Sequence, residues 1–143
     1  MHIGTLIESR ASSDIVTINV DHSVREAVQL LAEMRIGALP VMAGGKVAGI
    51  FSERDVINNL ASKGDTCLEL PVGEVMTSPA ITIERSVTVD EALAMMTHRR
   101  IRHLPVVEDH IMCGFISIGD LVKVRYDEVQ YEAEAMRSYI QTA

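Results

Sequence analysis

Apolar positions along this chain switch between a two-residue and a helical period, and the same switching occurs twice. Val16-Thr17-Ile18 reads as a short strand or extended lead-in. Val24, Ala27, Val28, Leu31 and Met34 follow at helical spacing, with Ser23 as N-cap and Glu26 three residues on as a capping box. Gly37 reads as the helix stop. Leu39–Met42 and Val47–Phe51 are apolar runs across Ala43-Gly44-Gly45-Lys46, the pattern of a β-hairpin. Ser52–Ser62 returns to helical spacing, so the unit is β-α-β-β-α.

Val16–Ile57 aligns without a gap on Ile81–Val122 at an offset of 65 residues. Thirteen of the 42 pairs are identical, among them Arg35/Arg100, Pro40/Pro105, Gly49/Gly114, Ser52/Ser117 and Asp55/Asp120. Others are apolar exchanges, such as Val28/Leu93 and Ile50/Phe115. The second hairpin turns through Glu108-Asp109-His110, which lacks Gly but uses residues that tolerate positive φ. One such unit is a three-stranded sheet covered on one side and marginal alone. Two copies can bury their open faces against each other about a pseudo-twofold axis. The expected fold is therefore α/β (α+β), one body from two repeats packed sheet to sheet. Its expected divisions are 1–62 for repeat 1 with its lead-in, 63–79 for the linker, 80–126 for repeat 2 and 127–143 for a terminal helix.

The sharpest residues stand where each hairpin meets the next helix, in Gly49-Ile50-Phe51-Ser52-Glu53-Arg54-Asp55 and Gly114-Phe115-Ile116-Ser117-Ile118-Gly119-Asp120. Ser-x-x-Asp before an apolar helix is a helix cap. Capping explains neither the Gly three residues earlier nor the apolar pair between. A helix N-terminus also offers N–H groups and a positive dipole end to phosphate, while a carboxylate beside it can accept both hydroxyls of a ribose. Capping and nucleotide binding are compatible, since one Ser can serve both.

These residues, with Leu39-Pro40-Val41, Leu104-Pro105-Val106 and Val75-Met76-Thr77, make the chain resemble a tandem pair of CBS domains, also called a Bateman module. The resemblance covers nearly the whole chain and is to small stand-alone bacterial proteins of this kind. It implies two inter-repeat clefts that bind adenosine ligands: AMP, ADP, ATP, NAD or S-adenosylmethionine. Carried over by position, the first cleft would use Asp55, Ser52 and Arg54, with adenine near Thr77, Pro79 and Ile81. The second would use Asp120, Ser117 and Phe115, with adenine near Asp14, Val16 and Ile36. Two departures stand out: Asp14 is a poor adenine neighbour on charge grounds, and Gly119 has no side chain where the first copy has Arg54. The resemblance also implies a homodimer.

Composition narrows the picture. The 143 residues carry a net charge of −7, which argues against a surface that binds nucleic acid throughout. Without Trp, and with three Tyr and two Phe, a base-stacking platform is not expected. No apolar run spans a membrane and no signal peptide is visible, so the cytoplasm is the expected compartment. Cys67 and Cys113 read as reduced structural thiols. The histidines and cysteines lack metal-ligand spacing, so no metal is expected.

Against that acidic background Arg99, Arg100, Arg102 and His103 form the one dense basic run, with His98 adjacent. It reads either as a solvated helix end or as a phosphate clamp, with Arg102 and His103 as its members. Downstream, Val129, Ala133, Met136 and Ile140 make an amphipathic helix that packs on its own domain or joins a partner chain. The leading expectation is a non-enzymatic regulatory module that senses energy or redox state through an adenine nucleotide, with no cofactor required. The alternatives are a structural dimerisation module with no ligand and a nucleotide-hydrolysing enzyme.

Overall fold

The computed structural model describes residues 1–9 and 15–142. Two three-stranded sheets are each built in the order first-second-third, a parallel pair followed by an antiparallel hairpin. In the first repeat these are β1 (Ile18–Asn19), β2 (Ala38–Ala43) and β3 (Lys46–Ser52), with helices α2 (Val24–Met34) and α3 (Glu53–Lys63). In the second they are β4 (Ile83–Glu84), β5 (His103–Glu108) and β6 (Ile111–Ser117), with α5 (Val89–Arg99) and α6 (Ile118–Thr142). Helices α1 (Ile3–Glu8) and α4 (Val72–Val75) precede the repeats. Corresponding registers differ by 65 residues throughout: Val41↔Gly49 answers Val106↔Gly114, and both hairpins shift register one residue later. The sheets meet through β3 and β6, which is the sheet-to-sheet α/β pair expected from the repeat.

Local chemistry explains the elements. Ser23 and Thr88 accept the N–H of Glu26 and Glu91, capping α2 and α5. The Glu26 carboxylate turns to His22 instead of closing a capping box. Both hairpin turns hold two consecutive residues at positive φ, Gly44 and Gly45 in one and Asp109 and His110 in the other, as two-residue turns between twisted strands require. Pro40 sits in a central strand, yet β1 reaches only Val41 and Met42, so its missing N–H costs no bond to β1.

Helix α2 stops earlier than expected. Met34 is its last residue, and Arg35, not Gly37, takes the left-handed position at φ 54°; Arg100 repeats this at φ 56°. Gly37 is already the approach to β2. The left-handed cost is accepted because it turns the chain at once into the central strand.

Each repeat has its own core, and each core is completed by a segment that precedes the other repeat. Leu39, Val41 and Phe51 pack with Val24, Ala27 and Leu31, and α4 adds Val72 and Val75. Leu104, Val106 and Ile116 pack with Val89, Ala92 and Met96, and α1 adds Ile3, Leu6 and Ile7. The backbone bonds match: Ile3 N–H to Val87 O (2.8 Å) and Gly4 N–H to Arg85 O (2.9 Å) answer Val72 N–H to His22 O (2.7 Å) and Gly73 N–H to Val20 O (3.1 Å). The lead-ins are thus a second pair of equivalent segments, offset by 69 residues in place of 65. The four-residue difference hid Ile3-Gly4 and Val72-Gly73 from a gapless comparison.

Cys67 is buried and Cys113 half-buried, both as free thiols. No helix among the described residues is long and apolar enough to cross a membrane.

Candidate functional site

The residues singled out at the two junctions fall into two clefts. The first encloses about 350 Å³ and is lined by Ser52, Arg54, Asp55, Thr77, Pro79, Ile81, Arg102 and His103. The second encloses about 380 Å³ and is lined by Val16, Ile36, Phe115, Ser117, Asp120 and His103. Both volumes fall in the range of small-molecule sites, about 300–1,000 Å³. Asp14 lies outside the described residues.

Each cleft is built at a helix N-terminus. Ser52 N–H donates to Asp55 Oδ2 (2.9 Å), and Asp55 N–H donates to Ser52 Oγ (3.4 Å). Ser117 N–H donates to Asp120 Oδ2 (2.8 Å), and Asp120 N–H donates to Ser117 Oγ (3.2 Å). The capping reading is therefore correct for both junctions. The first amide of each helix is also used: Glu53 N–H donates to Gly37 O (3.1 Å) and Ile118 N–H to Arg102 O (2.8 Å). These bonds staple helix to strand and fix where the Ser and Asp side chains stand.

The opposite wall comes from the lead-in. Ile50 and Thr77 exchange two backbone bonds, 2.9 and 2.8 Å, which hold the segment through Thr77 to Ile81 across β3. Thr77 Oγ1 donates to Asp55 Oδ1 (2.9 Å). A carboxylate oxygen has two lone pairs, so Asp55 Oδ1 keeps capacity for a ligand hydroxyl beside Thr77.

The motif glycine now has its reason. A Cβ on Gly49 would stand 2.6 Å from Thr77 O and 2.7 Å from Met76 Sδ, and one on Gly114 would stand 2.7 Å from Ile7 Cγ2. Only a residue without a side chain lets the crossing segment lie on the strand and form the cleft wall.

Charge divides the clefts. Arg54, Arg100 and Arg102 line the first against Glu53 and Asp55, whereas the second has Arg35 against Asp120. The basic run is split by the end of α5: His98 and Arg99 complete the helix, while Arg100, Arg102 and His103 reach the cleft. Arg100 stands in the basic run read from the sequence but was not assigned to the clamp. Its left-handed cap conformation, invisible in composition, is what turns the chain there.

His103 and Gly37 belong to both clefts. The His103 ring stacks on Phe115 with centroids 5.6 Å apart. Burial holds its pKa below the ordinary 6.5; Asp120 and Glu53 pull the other way, and Arg102 adds to the lowering. Its pseudo-twofold counterpart is Ala38, so this shared wall exists on one side only.

A sequence profile of the CBS domain matches residues 7–62 and again 72–127. The chain belongs to the CBS-domain family. This CBS pair is 36% identical over 126 residues to CBS domain-containing protein CBSX3, mitochondrial, of Arabidopsis thaliana, covering 85% of this chain and 61% of that protein. The match thus spans less than two thirds of the plant relative. Among solved structures, the CBS-domain containing protein ATU1752 from Agrobacterium tumefaciens superposes with a TM-score of 0.81 at 38% identity, over 87% of this chain and 92% of that one. The CBS domain pair of protein MJ0100, solved in complex with 5′-methylthioadenosine and S-adenosyl-L-methionine, gives a TM-score of 0.74 at 25% identity, over 87% and 98% of the two chains.

Proposed function

We propose that this CBS pair is a non-enzymatic regulatory module that binds adenosine ligands in its two clefts. The observation that carries the reading is the pairing, twice, of a helix-start carboxylate with an apolar segment held across the sheet by a motif glycine. Asp55 and Asp120 would take the ribose hydroxyls, Ser52 and Ser117 the first phosphate, and the lead-in residues the base. The arginines of the first cleft suit a phosphorylated ligand, AMP, ADP, ATP or NAD, because a guanidinium fork bonds two phosphate oxygens at once. The second cleft, with one arginine against one carboxylate, suits a ligand of lower charge. Binding would bias the relative pose of the repeats and of two chains in a homodimer, which is how such a module signals. The cytoplasm fits this role.

Thermal-shift titration with AMP, ADP, ATP, NAD and S-adenosylmethionine tests the reading. A ligand at 100 times its dissociation constant adds about 2.7 kcal/mol. Asp55→Asn should remove one class of site and Asp120→Asn the other. Arg102→Ala should weaken ATP more than adenosine. No shift with any of these ligands overturns the reading, and turnover of bound nucleotide would make the protein an enzyme.

A further inference from the structure

The partition between the two clefts rests on Gly37 and His103, the residues that line both. A Cβ on Gly37 would stand 3.5 Å from His103 Cε1, 3.7 Å from His103 Nε2 and 3.8 Å from Glu53 Oε1. The imidazole edge and the Glu53 carboxylate therefore meet over a residue with no side chain to part them. Each side of the partition is tied to a helix start. Gly37 O accepts the N–H of Glu53 at the head of α3 (3.1 Å), and His103 is paired across the hairpin with Ser117, which caps α6. The His103 ring lies at 14° to that of Phe115, and this stack holds it in the partition.

Charge reaches the ring from both sides. On the first stand Glu53, Arg54 and Asp55 of α3, with Arg100 and Arg102 on the approach to β5. On the second stand Asp120 of α6, Arg35 at the end of α2 and the Cys113 thiol of β6. Burial is the largest influence and favours the neutral ring; Asp120 and Glu53 favour the charged one, and Arg102 opposes it. The protonation of this one ring is thus set by groups that belong to both clefts.

We propose that His103 couples the two clefts through one proton, so that an anionic ligand in the first weakens a cationic ligand in the second. The coupling rests on both clefts being adenosine sites. A phosphate in the first cleft stabilises the imidazolium, and the imidazolium repels a sulfonium in the second; linkage makes the effect reciprocal. The proton comes from solvent and returns to it when the phosphate leaves. With each ligand changing the proton affinity of the ring about tenfold, the coupling reaches about threefold at its maximum. It vanishes where the ring is charged with or without ligand, and again where it is neutral with or without ligand. Direct attraction between the two bound charges has the opposite sign.

Calorimetric titration with AMP, with and without saturating S-adenosylmethionine, from about pH 5 to about pH 8 tests the proposal. S-adenosylmethionine should weaken AMP most at an intermediate pH, about threefold more than at pH 8, and His103→Gln should show no such maximum. NMR of the His103 Cε1–H in the full chain needs no variant: AMP should raise its titration midpoint and S-adenosylmethionine should lower it. AMP should still move it in Asp120→Asn, and S-adenosylmethionine in Asp55→Asn. Four results each overturn the coupling and leave the clefts as adenosine sites: a coupling that is flat across pH, a maximum that survives His103→Gln, displacement of AMP that grows without limit as S-adenosylmethionine is added, or a ring signal that only one ligand moves. Binding of only one of the two ligands also overturns it. Binding of neither overturns the reading of the clefts together with it.

Discussion

Replacing Gly49 by Ala adds one methyl group at the point where the chain crosses the first sheet. That carbon would sit 2.6 Å from Thr77 O and 2.7 Å from Met76 Sδ. The first contact is backbone, held by two bonds to Ile50 at 2.9 and 2.8 Å, so it cannot swing away as a side-chain tip would. Overpacking costs about 1–3 kcal/mol. Moving the lead-in by the ångström needed strains or breaks both bridge bonds, about 0.5–1.5 kcal/mol each. The smaller conformational freedom of unfolded Ala offsets about 0.4–1 kcal/mol. The net expectation is a loss of about 2–4 kcal/mol, read as a lower urea midpoint at unchanged slope. The control is Gly37→Ala, whose new carbon meets nothing closer than His103 Cε1 at 3.5 Å. That variant should be within about 1 kcal/mol of the parent in either direction. Because Thr77, Pro79 and Ile81 ride on the displaced segment, Gly49→Ala should also weaken binding of AMP in the first cleft more than in the second. A Gly49→Ala protein as stable as Gly37→Ala would refute the claim that the motif glycine exists to admit the crossing chain.

Other outcomes follow from the same geometry. Asp55→Ala removes a capping partner and the acceptor for Thr77, and should cost about 1–3 kcal/mol by urea unfolding; Asp55→Asn should cost less, and equal losses would refute the capping role. Phe51→Ala, at 0% exposure in the first core, should cost about 3–5 kcal/mol, and a loss under about 1 kcal/mol would mean the site collapses without a cavity. His103 has its folded pKa below 6.5, so the unfolded chain binds the proton first. Its contribution to stability is present above 6.5 and is lost as the pH falls through the folded value. His103→Phe should therefore flatten the decline in urea midpoint between about pH 7 and pH 5; an unchanged slope would place that decline elsewhere. A phosphate beside His103 would raise its pKa, so AMP should bind more tightly at about pH 6 than at about pH 8, and pH-independent affinity would exclude contact with this ring.

Much of the fold was legible because the repeat doubles every local signal. Ser52 and Asp55 read as a cap, and Ser117 and Asp120, at the same spacing, read the same way. Asp109 and His110 could be placed in a turn without glycine because Gly44 and Gly45 stand at their counterpart positions. The helix ends were less legible. Arg35 and Arg100 take a left-handed conformation that their residue type disfavours, and nearby Gly37 drew the boundary to itself. The lead-ins were missed as a pair, since Ile3-Gly4 and Val72-Gly73 align only after a four-residue change of offset.

What the amino-acid order determined alone was local: strand and helix periods, both caps, both hairpin turns, the doubling, and the chemistry of the residues at each junction. These depend on interactions within a few positions of one another. What tertiary structure decided was which distant segments share a wall. The first lead-in helix completes the second core and the second completes the first, because each sheet has an apolar face that its own helices leave open. That exchange carries Thr77, Pro79 and Ile81 to Asp55 and Val16 to Asp120, while Ile36 reaches Asp120 from the approach to β2 of the first repeat. The start of β5 sets His103 between the two clefts, where its counterpart Ala38 has no ring to offer. Periodicity cannot report such juxtapositions, since burial of an apolar face specifies that something must cover it and leaves to packing which segment does.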